Sequence, residues 1–349
     1  MVETIKIESR LVGEGWPCFV IAEAGSNHNG NLEQAKRLID VAVEAGADAV
    51  KFQLFRASKL YPKNAGQSDY LKLDESIYDI MTAMEMPYEW LPKLAEHCRQ
   101  SEIIFMASAF DQESVDQLDP YVSAYKIASY EMTHLPLVRY IAGKGKPVII
   151  STGTASLEEV AETVEVFFET GNRDLMLMQC TASYPAPVES LNLRAITTLR
   201  DAFQVPVGFS DHSLSPVVGP LAAVVLGTDL VEKHFTLSTQ LPGPDHAFSL
   251  EPDELTLMIR SIREVELSLG SGVKETQPVE EELRGFARRS VFAIKDISAG
   301  DSLTPNNIDV LRSGNLDPGL APKYYDEILG NKANRDIQAG SAIQREDYA

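Results

Sequence analysis

Cationic side chains are in short supply. Across 349 residues, 31 Lys and Arg stand against 51 Asp and Glu, a formal net charge of −20. That balance argues against nucleic acid and anionic membrane surfaces as partners, since both are held by basic patches. A small anion is still allowed, because a few lysines focused in a cleft can dominate locally under an acidic surface. Cysteine is scarcer still. Cys18, Cys98 and Cys180 are odd in number and widely spaced, which excludes a disulfide frame or a zinc knuckle and predicts buried thiols. No apolar run reaches the roughly 20 residues that span a membrane. The opening MVETIKIESRLVGEG has neither an apolar signal core nor an Arg-rich amphipathic pattern, so the expected location is cytoplasmic.

What the chain does have is short, continuous apolar runs. Eight recur: FVIAEAG (19–25), ADAVKFQ (47–53), IIFMASAF (103–110), AYKIAS (124–129), PVIIST (147–152), LMLMQCTAS (175–183), PVGFSDH (206–212) and DLVEKHF (229–235). They lack the in–out alternation of a half-exposed sheet, so they read as fully buried parallel strands. Nearly every one ends in a polar residue. That combination predicts an α/β fold, a (β/α)8 TIM barrel with its active site on the C-terminal face. Helical patterns fall between the runs, at 32–46, 87–101, 156–171, 215–227 and 253–270. The helix at 215–227 is apolar nearly all round and is expected to be heavily buried. The connection 54–86 is too long for a plain loop and reads either as a lid or rim segment or as a purely structural excursion.

The chain is too long for one typical domain. A barrel is expected over 1–270, a charged linker over 271–287 and a small β-rich domain over 288–349. Within the last, KDISAGDSLTPNNI and RDIQAGSAIQREDY repeat one pattern of short strand, Ala-Gly turn and short strand.

His212 and His234 end neighbouring runs, and adjacent parallel strands lie about 4.8 Å apart. Parity puts Gly208, Ser210 and His212 on one face, and Glu232 and His234 on one face. Two such imidazoles either share a divalent metal or are hydrogen-bonded residues near a core. Lys51 and Gln53 share the mouth end of the second run, and Lys126 enters from the fourth. Buried lysines require charge partners. Either Glu23, Glu131 and Glu232 neutralise them, or an anion does, helped by the hydroxyls of Ser129, Ser151 and Ser210. His28, His134 and His246 fall on the same face without a metal role, and His97 sits on a helix.

IAEAGSNHNG, GADAVKFQ, AYKIASYE, STGTAS, CTASYP, GFSDHS, EKHFT and PGPDHAFSLEPDEL together resemble the sialic acid (nonulosonic acid) synthases over essentially the whole chain. The tail after Arg288 resembles the antifreeze-like SAF domain that closes those enzymes. The MEMPYEW and LPGPDHAFSL segments are most similar to the branch holding legionaminic acid synthases and spore-coat polysaccharide proteins.

The resemblance implies condensation of phosphoenolpyruvate with an N-acetylated mannosamine-type open-chain sugar, releasing phosphate. N-acetylneuraminate or legionaminate is the expected product, with pseudaminate as an alternative. It also implies a divalent metal, Mn2+ or Mg2+ and possibly Co2+, on His212 and His234, and a catalytic role for Glu23. Phosphoenolpyruvate contacts carry over to Lys51, Ser108, Lys126, Ser129, Ser151 and Ser210. Sugar contacts carry over to Gln53, Glu131, Tyr184, Asp245 and Phe286. Arg312 matches an arginine that reaches the neighbouring barrel of a domain-swapped homodimer. Two positions depart from relatives. Ala182 replaces an Asn or Ser donor to the phosphate, with Ser183 as the nearest substitute, and Ser108 stands where some carry threonine. Two rival readings compete with it: another metal-dependent barrel aldolase, lyase or hydrolase, and an ice-binding role for the tail. Charges at Lys295, Asp296, Arg312, Arg335 and Asp336 oppose the second.

Overall fold

The computed structural model describes residues 4–67 and 75–349, in two compact units, Met1–Gly270 and Ser271–Ala349. The first opens with an antiparallel hairpin, β1 (Ile5–Ile7) and β2 (Arg10–Val12). Eight parallel strands then close into a barrel in sequence order: β3 (Phe19–Gly25), β4 (Ala49–Leu54), β5 (Ile104–Ala109), β6 (Tyr125–Ile127), β7 (Val148–Ser151), β8 (Leu175–Cys180), β9 (Val207–Asp211) and β10 (Leu230–His234). The TIM barrel expected from the eight runs is therefore present.

Strand periodicity sorts the barrel interior into layers. Phe19, Ile21, Ala49, Ile104, Met106, Ile149, Met176 and Leu230 pack inside with Ile5, Ile7 and Val12 of the hairpin, which fills the lower end. The polar residues follow on the same parity above them. Gly208 makes this packing possible, since a Cβ there would lie 2.4 Å from Leu230 Cγ. The opposite parity, with Val20, Val50, Phe52, Phe105, Ile150 and Phe209, faces the helices in the main core.

The outer layer is α1 (Leu32–Ala45), α4 (Leu91–Gln100), α5 (Gln112–Leu118), α6 (Leu135–Ala142), α7 (Leu157–Glu169), α8 (Ala195–Phe203), α9 (Val218–Val225) and α10 (Pro252–Leu269), with α2 (Ala57–Leu60) and α3 (Ile77–Ala83) in the long connection after β4. Local signals set their ends. Asn31 caps α1 by accepting from Glu33 N and Gln34 N, and Gly46 stops it at φ 84°. Ser156 and Glu159 form the capping box expected for α7. Helix α9 departs from expectation: Val218 is 49% and Val225 61% exposed. Only its Gly219, Pro220, Ala223, Val224 side is buried, because a barrel helix has a single wall to pack against. Part of the 54–86 segment, residues 68–74, lies outside the described residues. Its two ends are pinned together: Glu85 Oε1 accepts from Ala57 N at 2.7 Å, and Arg56 donates to Met86 O at 3.0 Å while stacking on the Tyr88 ring.

In the second unit, α11 (Glu281–Ala287) precedes the antiparallel pair β11 (Arg289–Ala293) and β12 (Ile308–Arg312), and α12 (Tyr325–Ile328) follows. The two similar sequence segments face each other about a local pseudo-dyad. Ile297 and Ile337 exchange both backbone bonds at 2.8 Å. Asp336 accepts from Ala299 N and Asp296 from Ala339 N, each at 2.8 Å. Gly300 and Gly340 turn the two copies at φ 89° and 85°.

Candidate active site

The polar strand ends converge at one mouth. Ladder register sets Glu23 beside Lys51, Gln53 beside Ser108, Ser108 beside Lys126, Cys180 beside Ser210, Ser210 beside Glu232 and His234 beside Glu23. Lys51 and Lys126 are both 2% exposed. Lys51 Nζ lies 2.7 Å from Glu23 Oε2 and 3.5 Å from Glu232 Oε1, and donates to Ser108 Oγ at 3.1 Å. Lys126 Nζ lies 3.3 Å from the same Glu232 oxygen, which also accepts from Ser210 Oγ at 3.4 Å. Gln53 Nε2 donates to Glu23 Oε1 at 3.0 Å. Of the two sequence readings, internal neutralisation is realised by Glu23 and Glu232. The same cluster still has polar atoms to spare. Ser151 Oγ and Glu232 Oε2 are buried without a protein hydrogen-bond partner among the described residues, and such groups are costly unless a ligand or water meets them.

The protonation pattern follows from burial. Burial pushes Glu23 up to about 7, Lys51 pulling the other way and Glu232 adding to the rise. Burial works against the Lys51 ammonium too, but Glu23 and Glu232 outweigh it and hold its pKa above the ordinary lysine value. At Lys126 burial wins over Glu232, and the pKa falls. Burial likewise raises Glu131 to about 7 and Asp245 to about 6.

The two histidines stand at the edge of this cluster with ring centroids 5.4 Å apart. His212 Nδ1 donates to Thr181 O at 2.9 Å, so in the neutral ring Nε2 carries the lone pair. Burial, then the charges of His212 and Lys51, press the His234 pKa well down, so its ring is a neutral donor. His234 Nδ1 has no hydrogen-bond partner among the described residues, and Asp245 Oδ2 is 4.0 Å away. The donor set therefore suits a divalent metal, but sparsely. Among the described residues no three His, Cys, Asp or Glu side chains gather around one point. Two imidazoles are fewer than the three protein ligands of a typical catalytic zinc site, so water or substrate would complete the shell.

Tyr184 lies over His212, centroids 4.1 Å apart, and Phe248 stands 5.2 Å from both Tyr184 and His234. Asp245 closes in from the loop after β10: a Cβ on Gly25 would lie 3.2 Å from Asp245 Oδ2 and 3.5 Å from both Gln53 Nε2 and Glu23 Oε1. Ser129 Oγ accepts from Gly153 N at 3.1 Å and lies 3.5 Å from Cys180 Sγ. Glu131 follows on the turn Ser129–Glu131, with Oε2 buried and unpartnered among the described residues. Thirteen of the fifteen residues singled out in sequence thus sit in this barrel mouth or its loops. Phe286 and Arg312 belong to the second unit, on α11 and at the end of β12, both exposed. Ser183 does not stand free to replace the donor missing at Ala182, because its hydroxyl donates to Pro185 O at 3.2 Å.

Sequence reasoning did not single out three contributors. Cys180 reads as an inert buried thiol, yet its Sγ lies 3.8 Å from His212 Nδ1. Phe248 and the Thr181 carbonyl were also missed. Phe248 sat inside a motif without a role, and a backbone oxygen leaves no mark in a sequence.

Comparison with known proteins gives matches along nearly the whole chain. The NeuB family model matches residues 38–274 and the SAF domain model residues 288–349. The spore coat polysaccharide biosynthesis protein SpsE of Bacillus subtilis is 43% identical, covering 98% of this chain and 96% of its own. Its crystal structure superposes with a TM-score of 0.69 at 42% identity over 99% of each chain. The N,N'-diacetyllegionaminic acid synthase of Legionella pneumophila is 39% identical over 95% of this chain and 94% of its own. A pseudaminic acid synthase of Campylobacter jejuni is 38% identical over 95% and 96%.

Proposed function

The chain belongs to the NeuB family, and on that premise we propose that it is a nonulosonic acid synthase joining phosphoenolpyruvate to an N-acetylated, open-chain hexosamine-type sugar with release of phosphate. One observation carries the reading. Two buried lysines, a ring of hydroxyls and a pair of imidazoles share a single barrel mouth. That is the equipment for an anion and a carbonyl held side by side.

Lys51 and Lys126 bind the phosphoenolpyruvate charges, with Ser108, Ser129, Ser151 and Ser210 donating to its oxygens. Gln53, Glu131, Tyr184 and Asp245 line the sugar side, and Phe286 and Arg312 are added as sugar contacts on family grounds alone. A divalent metal, Mn2+ or Mg2+, fits His212 and His234 and would act as a Lewis acid on the sugar's carbonyl oxygen. C3 of phosphoenolpyruvate forms the new bond to that carbonyl carbon, water adds at C2, and phosphate departs as the C2–O bond breaks. Glu23, poised at about 7 beside Lys51, is the group placed to take the water's proton. In the family-based part of this reading, each Arg312 serves the partner's barrel in a domain-swapped homodimer. A cytoplasmic location is part of the same proposal. No helix among the described residues is long and apolar enough to cross a membrane. The acceptor is a mannosamine-type sugar of the N-acetylneuraminate or legionaminate series. Identities of 39% to a legionaminate relative and 38% to a pseudaminate relative keep the altrose-type acceptor of pseudaminate as the alternative.

The test is phosphate release from phosphoenolpyruvate with Mn2+ present. Release that requires an N-acetylated sugar supports the synthase. Pyruvate formed by cleaving a preformed ulosonic acid, without any use of phosphoenolpyruvate, would point instead to a barrel lyase.

A further inference from the structure

Behind the two histidines lies a second pair of residues with no part in the chemistry above. Asp211 and Lys233 are direct ladder partners on β9 and β10, each one residue before a histidine. Strand parity turns them to the outer face of the barrel wall while His212 and His234 face the mouth. Both are 1% exposed, and Lys233 Nζ meets Asp211 Oδ2 at 2.7 Å. Lys233 also donates to Ser213 O, and to Ser215 O at 3.3 Å. Asp211 accepts from Ser213 N at 2.8 Å and from Ser213 Oγ at 3.1 Å. The pair thus joins the two strands and grips the three residues that follow His212. Helix α9 leaves room for it only at a glycine: a Cβ on Gly219 would lie 2.9 Å from Asp211 Oδ2 and 3.0 Å from Phe209 Cε1.

A buried ion pair rarely stabilises a fold more than apolar residues of the same volume would. Its value here is geometric. We infer that Asp211 and Lys233 are positioning residues, which set the separation and orientation of His212 and His234 from behind the wall and so tune the affinity of the metal. This rests on the reading of the two histidines as metal ligands. The same strands provide a contrast at their other end. There Asp229 accepts from Val207 N at 2.8 Å and pairs with Arg200 at 3.3 Å, far along both strands from the histidines.

The test is Mn2+ binding, measured by titration calorimetry without substrates. The double variant Asp211→Leu/Lys233→Met removes both charges together, so neither is left buried alone. Folded protein, checked by circular dichroism, is expected to bind Mn2+ about ten- to a hundred-fold more weakly, the usual effect of disturbing groups that orient metal ligands. Arg200→Met is expected to lower Tm and leave Mn2+ affinity unchanged. A folded double variant that binds Mn2+ as wild type does overturns the inference. If the double variant does not fold, Gly219→Ala decides. Pressing a methyl on the Asp211 carboxylate should weaken Mn2+ binding several-fold, and unchanged affinity again overturns it. Wild-type protein that binds no Mn2+ at all would instead defeat the metal reading on which this one stands.

Discussion

Lys51 Nζ and Glu23 Oε2 meet at 2.7 Å at the centre of the barrel mouth, with both side chains closed off from solvent. Burial outweighs the lysine's pull on the carboxyl, so Glu23 lies near 7 rather than at the ordinary 4.5. A carboxyl balanced between its two forms at neutral pH suits proton transfer better than a fixed anion. It also ties the two halves of the site together, because the lysine that holds Glu23 is the one proposed to bind phosphoenolpyruvate.

If Glu23 acts as the base, its ionised form is the active one, and kcat/KM rises with pH through about 7. Glu23→Gln should remove that limb and lower kcat by roughly a hundred- to ten-thousand-fold. A variant that keeps the limb would assign it to another group.

Glu131 offers a pH effect on stability. Its folded pKa is raised from 4.5 to about 7, so folding favours the protonated form. The stability it contributes is complete below about 4.5 and is lost as pH rises through about 7. In substrate-free protein, Tm of wild type relative to Glu131→Gln should therefore fall across that window. Parallel Tm profiles for the two would contradict the burial argument.

Lys51→Ala should raise the KM for phosphoenolpyruvate about ten- to a hundred-fold, the effect of losing a charge-assisted bond of about 1.5–3 kcal/mol. The KM for the sugar should move far less. A change confined to the sugar KM would mean that the lysine serves the other substrate.

The proposed exchange of small domains between subunits has a kinetic signature. His212→Ala and Arg312→Ala proteins, each inactive alone, should recover activity after subunit exchange. One mouth in each mixed dimer then receives an intact barrel from one chain and an intact arginine from the other. Arginine suits such a contact, since its planar fork fixes hydrogen-bond geometry. No recovery would place Arg312 on its own barrel.

The barrel was legible because its strands are continuous apolar runs tipped with polar residues. The parity that groups Gly208, Ser210 and His212 came directly from their spacing of two. Helices α5, α6 and α8 were not singled out, since seven to nine residues show too little periodicity. The exposure of α9 could not be read either, because apolar residues all round a helix do not say which side meets a wall. Cys180 gains meaning only from the register of β8 on β9, which sets it beside Ser210 and near His212. In the small domain the repeat was visible, but not the reciprocal capping by Asp296 and Asp336, which depends on how the copies face each other.

This mouth is proposed to build a carbon–carbon bond from phosphoenolpyruvate. The direct measurement is the mass of the product formed from carbon-13 phosphoenolpyruvate and each candidate sugar, N-acetylmannosamine, the diacetamido-trideoxymannose and the altrose isomer, with Mn2+ present. The expected product is an ulosonic acid that carries all the labelled carbons, with one phosphate released for each molecule formed. Label recovered only as pyruvate, or phosphoenolpyruvate left intact with every sugar, would contradict it.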